Sequence, residues 1–297
     1  LPILLGSITI NYSIGLGLGC LAGPARDGLL TLGITANLLL LAIVKYASFF
    51  TDNLNLLLQP VGVSLTALGI ALPLGISFFT FQAISYLIDI YRREVPPQRN
   101  LLTVALYIAM FPQLVAGPIV RYQQVARQLN CRRSTLGRAS AGIRIFIIGL
   151  AQKVLIANEV ANLADTIFTN TTVSTVEAWL GVIAYSLQIY FDFAGYSNMA
   201  IGLGLIFGFT FPRNFCLPYR ARSVIEFWRR WHMSLSTWFR DYLYLPLGGN
   251  RLSRVRTYMN LMVVFLLCGF WHGASWNFIV WGLHHGVFLI MERAGLG

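Results

Sequence analysis

The chain has 297 residues, of which 56% are hydrophobic and only 11% charged, and its mean hydropathy is +0.65. Soluble domains carry about a quarter of charged residues, so this composition excludes an ordinary soluble domain and indicates an integral membrane protein. The formal net charge of +11 comes from basic clusters between apolar runs, which are typical of loops that face anionic lipid headgroups, so nucleic acid is not expected as a partner.

Apolar segments follow one another along the chain, and several reach the length of about 20 residues that crosses a hydrocarbon core as a helix. They lie near 1–22, 29–50, 61–90, 141–164, 177–195, 197–211, 257–271 and 275–292. The third is too long for one straight crossing, and Pro73 and Gly75 inside it can break or kink a helix. We expect an all-α fold, a polytopic transmembrane helical bundle, because strand-like alternation is not the pattern of this chain.

A further apolar stretch, residues 101–120, has basic residues on both sides. Arg99 precedes it and Arg121 follows it, and basic flanks at both ends fit a re-entrant segment. Pro112 and Gly117 in its second half would free backbone hydrogen-bonding groups, which are tolerated at membrane depth only inside protein or along a wet cavity. The sequence leaves a re-entrant segment and an ordinary kinked span both open.

The arginine-rich segment 213–256 is expected to lie in the membrane interface on the cytoplasmic side, as is the basic region 121–144. Helical spacing places four apolar residues on one stripe: Trp228, Trp231, Leu235 and Trp238. The PLGGN turn at 246–250 should end this interfacial helix, because proline lacks a backbone donor and glycine permits positive φ.

The histidines are concentrated near the end of the chain, at His232, His272, His284 and His285. His272 lies in the apolar stretch LLCGFWHGASWNFIVWG, and an ionisable residue at membrane depth is a functional candidate. A neutral imidazole there can act as a general base, although a histidine that only bonds two helices together is the alternative. The last two histidines are expected to serve packing or to lie at the surface.

Three residues directly precede His232 in the interfacial segment: Arg229, Arg230 and Trp231. His232 should therefore lie near the interface, where it either binds and orients a donor or anchors the segment, as tryptophans do. Arginines beside a buried histidine suit a donor that bears phosphates, because guanidinium groups bind phosphate bidentately. Coenzyme A thioesters are donors of this kind. Arg240 belongs to the same basic group.

A second polar island lies in SLQIYFDFAGYSNMAIG, where Gln188, Asp192 and Tyr196 are spaced to share one helical face. An aspartate in a span needs a partner, which a later arginine or histidine could supply. A structural ion pair and a role in the site both stay open for Asp192. Lys153 is a similar isolated charge, which could also snorkel to the interface.

Several common catalytic routes have no support in the sequence. It contains no GxxxxGK[ST] loop, GxSxG elbow or HExxH motif, and its cysteines lack metal-ligand spacing. No metal site is expected. Without a serine nucleophile motif, direct base-assisted acyl transfer is the simplest chemistry for these residues.

Long motifs stand in order between Leu72 and Gly286: LPLGISFFTFQAISYLIDIYRREV, FPQLVAGPIVRY, LQIYFDFAGYSNMAIGLGLIFGF, EFWRRWHMSLSTWFRDYLYLPLGGNR and GFWHGASWNFIVWGLHHG. They resemble the membrane-bound O-acyltransferase (MBOAT) family, within it the alginate O-acetyltransferase (AlgI-like) branch. The resemblance implies the MBOAT fold, a helical bundle with re-entrant and interfacial helices around a funnel or tunnel. It implies that His272 is the catalytic base and that His232 is a second functional histidine.

The resemblance further implies a multi-pass enzyme of the bacterial inner (cytoplasmic) membrane, in contact with lipid. It would move an acetyl group from cytoplasmic acetyl-CoA toward hydroxyls of an exported polysaccharide such as alginate, with a periplasmic acetyltransferase as partner and no bound cofactor. We expect the following residues to bind substrate: Arg229, Arg230, Trp231, Asp192, Arg240 and Asn250. The alternatives are D-alanyl transfer toward teichoic acid and a non-enzymatic transporter or export-complex component.

The domain organisation expected is one integral-membrane acyltransferase domain, residues 1–297. The chain is shorter than members of this family usually are, so we expect a fragment, incomplete at one or both ends. Its first residues, LPILLGSITI, contain no legible signal peptide.

Overall fold

The computed structural model describes residues 1–66, 70, 72–115 and 117–295. Its first helices are α1 (Pro2–Cys20), α2 (Gly23–Leu41), α3 (Ala47–Leu58), α4 (Ile76–Tyr91), α5 (Leu101–Ala109), α6 (Phe111–Leu114) and α7 (Tyr122–Asn130). They are followed by α8 (Leu136–Ala151), α9 (Asn158–Thr169), α10 (Thr175–Ile206), α11 (Val224–Arg230), α12 (Met233–Phe239), α13 (Arg254–His272) and α14 (Trp276–Arg293). These described residues form no strand, which confirms the all-α prediction.

Three π-helical turns interrupt or extend these helices. They are Ala42–Tyr46 between α2 and α3, Gln152–Ala157 between α8 and α9, and Arg240–Tyr244 after α12. Each of the three contains a basic residue: Lys45, Lys153 and Arg240. Single π-helical turns inside α-helices are rare and occur frequently at functional sites.

Within the described ranges, three helical stretches are long and apolar enough to cross a membrane: Pro2–Cys20, Gly23–Val61 and Leu136–Thr169. Their outer surfaces carry large apolar side chains, among them Ile147, Ile148 and Leu155. Exposed apolar rows of this length are typical of helices that face lipid. The chain is therefore a helical membrane protein.

The two spans predicted at 177–195 and 197–211 are joined in one helix, α10, which ends at Ile206, so the break predicted between them is wrong. Gly195 lies inside α10 and faces Gly149 of α8; a Cβ added to Gly149 would meet the carbonyl oxygen of Gly195 at 2.5 Å. The glycines let the two backbones approach closely, as small residues do in membrane helix pairs. Glycine weakens an isolated helix, but here Gly195 packs against α8 and the helix continues through it.

Among its described residues, the long apolar run predicted near 61–90 is helical only at Val61 and from Ile76 onward. Gly62 ends the preceding helix with φ 71°, and Gly75 precedes α4 with φ 76°. A Cβ on Gly75 would also collide with the carbonyl oxygen of Leu114. The break predicted at Pro73 and Gly75 is confirmed, although residues 67–69 and 71 lie outside the described ranges.

The described residues of the stretch 101–120 form α5, α6 and an end without regular secondary structure, so they do not form one kinked span. At about 1.5 Å per residue, α5 is too short to cross a membrane. Protein groups satisfy the freed backbone: the Tyr107 hydroxyl donates to the Val120 carbonyl (3.0 Å), and the Ile119 N–H donates to Ser234 Oγ (2.9 Å). This is the buried, broken segment that membrane depth allows.

The interfacial segment contains two short helices, α11 and α12, instead of the one striped helix predicted. The break falls at His232, which has φ 41° and ψ 53°. Trp228 and Trp238 are buried in the protein and do not anchor a headgroup face. The predicted turn after the segment is confirmed, since Gly248 and Gly249 have φ of 102° and 56°.

Helix packing divides into an N-terminal group (α1, α2 and α4), a central pair (α8 and α10) and a C-terminal pair (α13 and α14). The interfacial segment crosses between them. A buried carboxylate fixes one side of it: the Tyr242 hydroxyl donates to Asp89 Oδ1 at 2.6 Å. On the same side, Arg121 forms an ion pair with Asp241. These contacts attach the interfacial segment to α4 and α7.

Candidate active site

A cavity of about 870 Å³ lies where all three helix groups meet the interfacial segment, and we call it the histidine cavity. His232 and His272 both line it, although they come from different elements. Trp231, predicted to bind substrate, also lies in its wall. The polar side chains of this wall further include Lys45, Ser77, Ser186, Tyr185, Tyr219, Ser275, Asn277 and His285.

His272 is the last residue of α13, and its side chain is exposed to the histidine cavity. The indole of Trp281 packs edge-on against its ring, with centroids 5.2 Å apart. Two side chains from the π-helical turn Ala42–Tyr46 hold the end of α13. The Tyr46 hydroxyl donates to the Phe270 carbonyl at 2.7 Å, and Lys45 Nζ donates to the Trp271 carbonyl. These bonds satisfy carbonyls that a helix end leaves free.

His232 is 2% exposed and is held by a single amide side chain, that of Asn214. Its Nδ1 lies 3.1 Å from Asn214 Oδ1, and the same oxygen accepts the Ser234 backbone N–H at 3.2 Å. Because a backbone N–H only donates, the atom facing it must be the amide oxygen. His232 Nδ1 therefore carries the proton, which leaves Nε2 with a free lone pair.

The helix break at His232 follows from the same neighbourhood. The Met233 N–H donates to the Asn214 carbonyl and the Cys216 N–H donates to the Arg230 carbonyl, each at 2.9 Å. A left-handed conformation costs a non-glycine residue about 1–2 kcal/mol, and these bonds offset that cost. The break places the imidazole against Phe193, with ring centroids 4.6 Å apart.

Arg229 and Arg240 line a second cavity of about 520 Å³ together with Arg293, and we call it the arginine cavity. Arg240 also bonds Asp241, with Nε 2.7 Å from Oδ1. Trp228 lies in the walls of both cavities. Arg229 and Arg240 thus line one space, and His232 and His272 line an adjoining one.

Arg230 lines neither cavity and is engaged within α11. Its Nη2 lies 2.6 Å from Oε1 of Glu226, one turn earlier. Glu226 also accepts the Arg222 backbone N–H at 2.8 Å, and that bond together with the Arg230 guanidinium holds the pKa of its carboxyl below the usual value. The structure places Arg230 as a support of the interfacial segment.

Asp192 and Asn250, both predicted to bind substrate, lie outside the walls of both cavities. Asp192 forms an ion pair with Lys153, and both side chains are about half exposed. Its partner is thus a lysine of the π-helical turn Gln152–Ala157, not the later arginine or histidine that we expected. Asn250 is exposed in the turn after the interfacial segment.

Sequence reasoning missed two residues of the histidine cavity region, Lys45 and Asn214. Lys45 had a visible signal, because it is a lone basic residue within the apolar run 29–50. Asn214 had none, since a single amide in FPRNFCLPY belongs to no recognisable pattern. His285, expected to serve packing or lie at the surface, lines the histidine cavity and packs edge-on against Trp228 at 5.0 Å.

A membrane helical bundle with His232 and His272 in one cavity fits the family that the motifs resemble. The chain belongs to that family: the model of MBOAT, the membrane-bound O-acyltransferase family, matches residues 92–295. The match contains both histidines and the arginines of the arginine cavity. The resemblance stated from the motifs is thereby confirmed.

Three proteins similar to this chain are named as acetylating or D-alanylating enzymes. The chain is 48% identical over 295 residues to a probable alginate O-acetylase AlgI of Azotobacter vinelandii, covering 98% of this chain and 59% of the relative. It is 42% identical over 323 residues to a peptidoglycan O-acetyltransferase of Helicobacter pylori, covering 99% of this chain and 61% of the relative. It is 31% identical over 242 residues to a teichoic acid D-alanyltransferase of Streptococcus thermophilus, covering 75% of this chain and 57% of the relative. The chain thus spans less than two thirds of the length of these relatives.

Proposed function

We propose that this chain carries the reaction site of a multi-pass O-acetyltransferase of the bacterial inner membrane. It takes an acetyl group from cytoplasmic acetyl-CoA and passes it toward hydroxyls of an exported polysaccharide. The observation that carries the proposal is the meeting of His272 and His232 in one cavity. The names of two similar proteins, an alginate O-acetylase and a peptidoglycan O-acetyltransferase, support the acetyl group and a glycan acceptor.

In the proposed reaction, His272 is the general base. Its free ring nitrogen takes the proton of the acceptor hydroxyl while the hydroxyl oxygen attacks the thioester carbonyl carbon. The tetrahedral intermediate then collapses, the carbon–sulfur bond breaks, and the proton held by His272 passes to the leaving sulfur of coenzyme A. The acetyl group ends as an ester on the acceptor, and free coenzyme A is released.

His232 has a different part in the proposal. Its Nδ1 proton is directed at Asn214, so only Nε2 is available to a substrate, as a hydrogen-bond acceptor. A neighbouring hydroxyl of the acceptor, bound there, orients the reacting hydroxyl toward His272. Fixing a reactant in this way lowers the entropy lost on reaching the transition state.

The arginine cavity is the proposed binding place of the donor's phosphates. Arg229, Arg240 and Arg293 are exposed in its wall, and most of the other lining residues are apolar. Guanidinium groups suit phosphates, and apolar side chains suit the rest of the donor's arm. Since Trp228 borders both cavities, the thioester end would pass this indole to reach the histidines.

The partner protein and the acceptor belong to the proposal as well. An exported polysaccharide, alginate being one example, is the final acceptor, and a separate periplasmic acetyltransferase is the expected partner. D-alanyl transfer toward teichoic acid is the second candidate, supported by the similarity to a teichoic acid D-alanyltransferase. Both candidates require the same base on an acyl-transfer path.

The first experiment uses a strain that lacks the gene for this protein and is complemented with the whole gene. It measures O-acetylation of the polysaccharide that the strain exports. The His272→Ala variant is compared with wild type at equal membrane abundance, and it should lose acetylation by at least about 1,000-fold. His284→Ala is the matched control, because His284 is an exposed histidine outside the histidine cavity. It should retain acetylation.

The outcomes separate the candidates. Near-normal acetylation in the His272→Ala variant would contradict the base and would fit a transporter or export-complex component instead. Absence of acetylation with wild type would contradict the acetyl group, and the same strains would then be assayed for D-alanine esters on teichoic acid.

A further inference from the structure

Lys45 is a cation inside a helix that is apolar enough to cross a membrane, Gly23–Val61. It lies in the π-helical turn Ala42–Tyr46 between α2 and α3. Charged residues at membrane depth are costly and mark functional paths more often than packing. The family model begins only at residue 92, so the motifs of the family leave Lys45 without a role.

Among the described residues, the ammonium group of Lys45 has two hydrogen-bond acceptors and no counter-ion. Its Nζ donates to Ser77 Oγ at 3.1 Å and to the carbonyl of Trp271, the residue before His272. It also lies 5.6 Å from the ring centroids of Tyr46 and Trp271. No ion pair of the described residues includes Lys45. An ammonium group has three donors, so one is left over.

The described residues of the histidine cavity's wall carry a positive charge and no negative one. Among the described residues of its wall, Lys45 is the one lysine, and neither an arginine nor an acidic residue is present. The arginines lie in the adjoining arginine cavity. A low-dielectric space with a fixed positive charge and no negative one favours an anion. In an acyl transfer, the anion that forms at the reacting centre is the carbonyl oxygen of the tetrahedral intermediate.

We propose that Lys45 is a catalytic residue that stabilises this oxyanion; the proposal rests on the acetyl transfer proposed above. As the acceptor oxygen bonds to the carbonyl carbon, the carbonyl electron pair moves onto oxygen, and the free N–H of Lys45 donates to it. His272 holds the acceptor proton meanwhile. When the oxyanion re-forms the carbonyl, the carbon–sulfur bond breaks and the proton of His272 passes to sulfur. Lys45 keeps its own proton throughout.

The same contacts also support a purely structural role, which the experiment must separate. Lys45 and Tyr46 both donate to carbonyls in the last turn of α13. Tyr46 does so outside the histidine cavity, since it is not part of the wall. Tyr46→Phe therefore removes one support of the same helix end without changing the charge of the cavity, and it is the matched control.

The test uses the whole gene product in inverted membrane vesicles from polymer-producing cells, with acetyl-CoA as the donor supplied outside. The initial rate of acetyl transfer is measured against acetyl-CoA concentration for wild type, Lys45→Met, Lys45→Arg and Tyr46→Phe. Membrane abundance and the Tm of each purified variant in detergent are measured alongside. Lys45→Met keeps the chain length and removes the charge, and Lys45→Arg keeps the charge.

For Lys45→Met we expect kcat to fall by about 100-fold or more, the usual cost of one lost oxyanion donor, with little change in KM for acetyl-CoA. Lys45→Arg should recover part of that kcat, and Tyr46→Phe should keep most of it while losing a similar amount of Tm. Equal loss of kcat in Lys45→Met and Tyr46→Phe, or a rise in KM alone, would overturn the proposal. If wild type itself transfers nothing from acetyl-CoA, the proposed function fails, and the role of Lys45 with it.

Discussion

The central pair α8 and α10 and the histidine cavity are held together by different kinds of contact. The pair is packed through glycines, and its outer surface is largely apolar and exposed. The cavity is held by amide, hydroxyl and ammonium groups that bond across long stretches of sequence. A glycine contact fixes only how near two backbones lie, whereas a polar contact also fixes which atom points where. The comparison separates substitutions that change stability from those that change chemistry.

After the variants of His272 and Lys45, the largest effect on chemistry is expected for substitution of Asn214. Asn214→Leu removes the acceptor that orients His232, so kcat should fall by up to about 100-fold, while helix packing is largely kept. The measurement is the initial rate of acetyl transfer at saturating acetyl-CoA, together with Tm in detergent.

The control for Asn214 is a double-mutant cycle with His232→Ala. If Asn214 acts through His232, adding Asn214→Leu to the His232→Ala variant should cost almost nothing more. Independent, multiplying losses would show that Asn214 supports the interfacial segment in general. Ser234→Ala, which removes another bond to the same amide oxygen, should cost less than Asn214→Leu.

The Gly149→Ala variant tests the glycine contact between α8 and α10. The new Cβ would meet backbone atoms of α10, the Gly195 carbonyl oxygen at 2.5 Å and the Met199 nitrogen at 2.8 Å, which cannot move aside as a side chain would. Stability should fall by about 1–3 kcal/mol, measured as a lower Tm in detergent, with little change in the kcat of the remaining folded enzyme.

Gly137→Ala is the matched control on the same helix, because a Cβ there meets nothing within 4 Å. It should leave Tm unchanged or raise it slightly. Equal losses in both variants would contradict the close approach of α8 and α10 as the cause, because alanine raises helix propensity at either position.

The smallest effect is expected for Asp192→Asn. The pair of Asp192 with Lys153 is about half exposed and lies outside both cavities, so its loss should change stability by less than about 1 kcal/mol. Acetyl transfer should stay near wild type. A large loss of kcat, with Tm unchanged, would instead support the substrate-binding role that the sequence predicts for Asp192.

Much of the fold follows from the sequence, because apolar runs of sufficient length have few alternatives in a membrane. An apolar run made His272 a candidate as an isolated ionisable residue, and the family motifs made candidates of both His272 and His232. The continuity of α10 could not be predicted, since it depends on glycines of α8 that face it. The break at His232 depends on an amide 18 residues earlier.

Lys45 shows most clearly what could not be predicted from the sequence. Its meeting with Trp271 joins residues separated by 226 positions. A lone lysine in an apolar run could equally reach the headgroups by its long side chain, so the sequence alone does not place it beside a histidine. Only the packing of the π-helical turn against the end of α13 brings the two together.

Trp228, which borders both cavities, has a consequence for the electrical insulation of the membrane. An enzyme that passes acyl groups between two aqueous sides contains wet space on the transfer path, and a continuous column of water would conduct protons. A buried indole between the two spaces interrupts such a column, because its ring is large and apolar. In the proposed transfer, the residue that the thioester passes would thus also keep the proton gradient from being short-circuited.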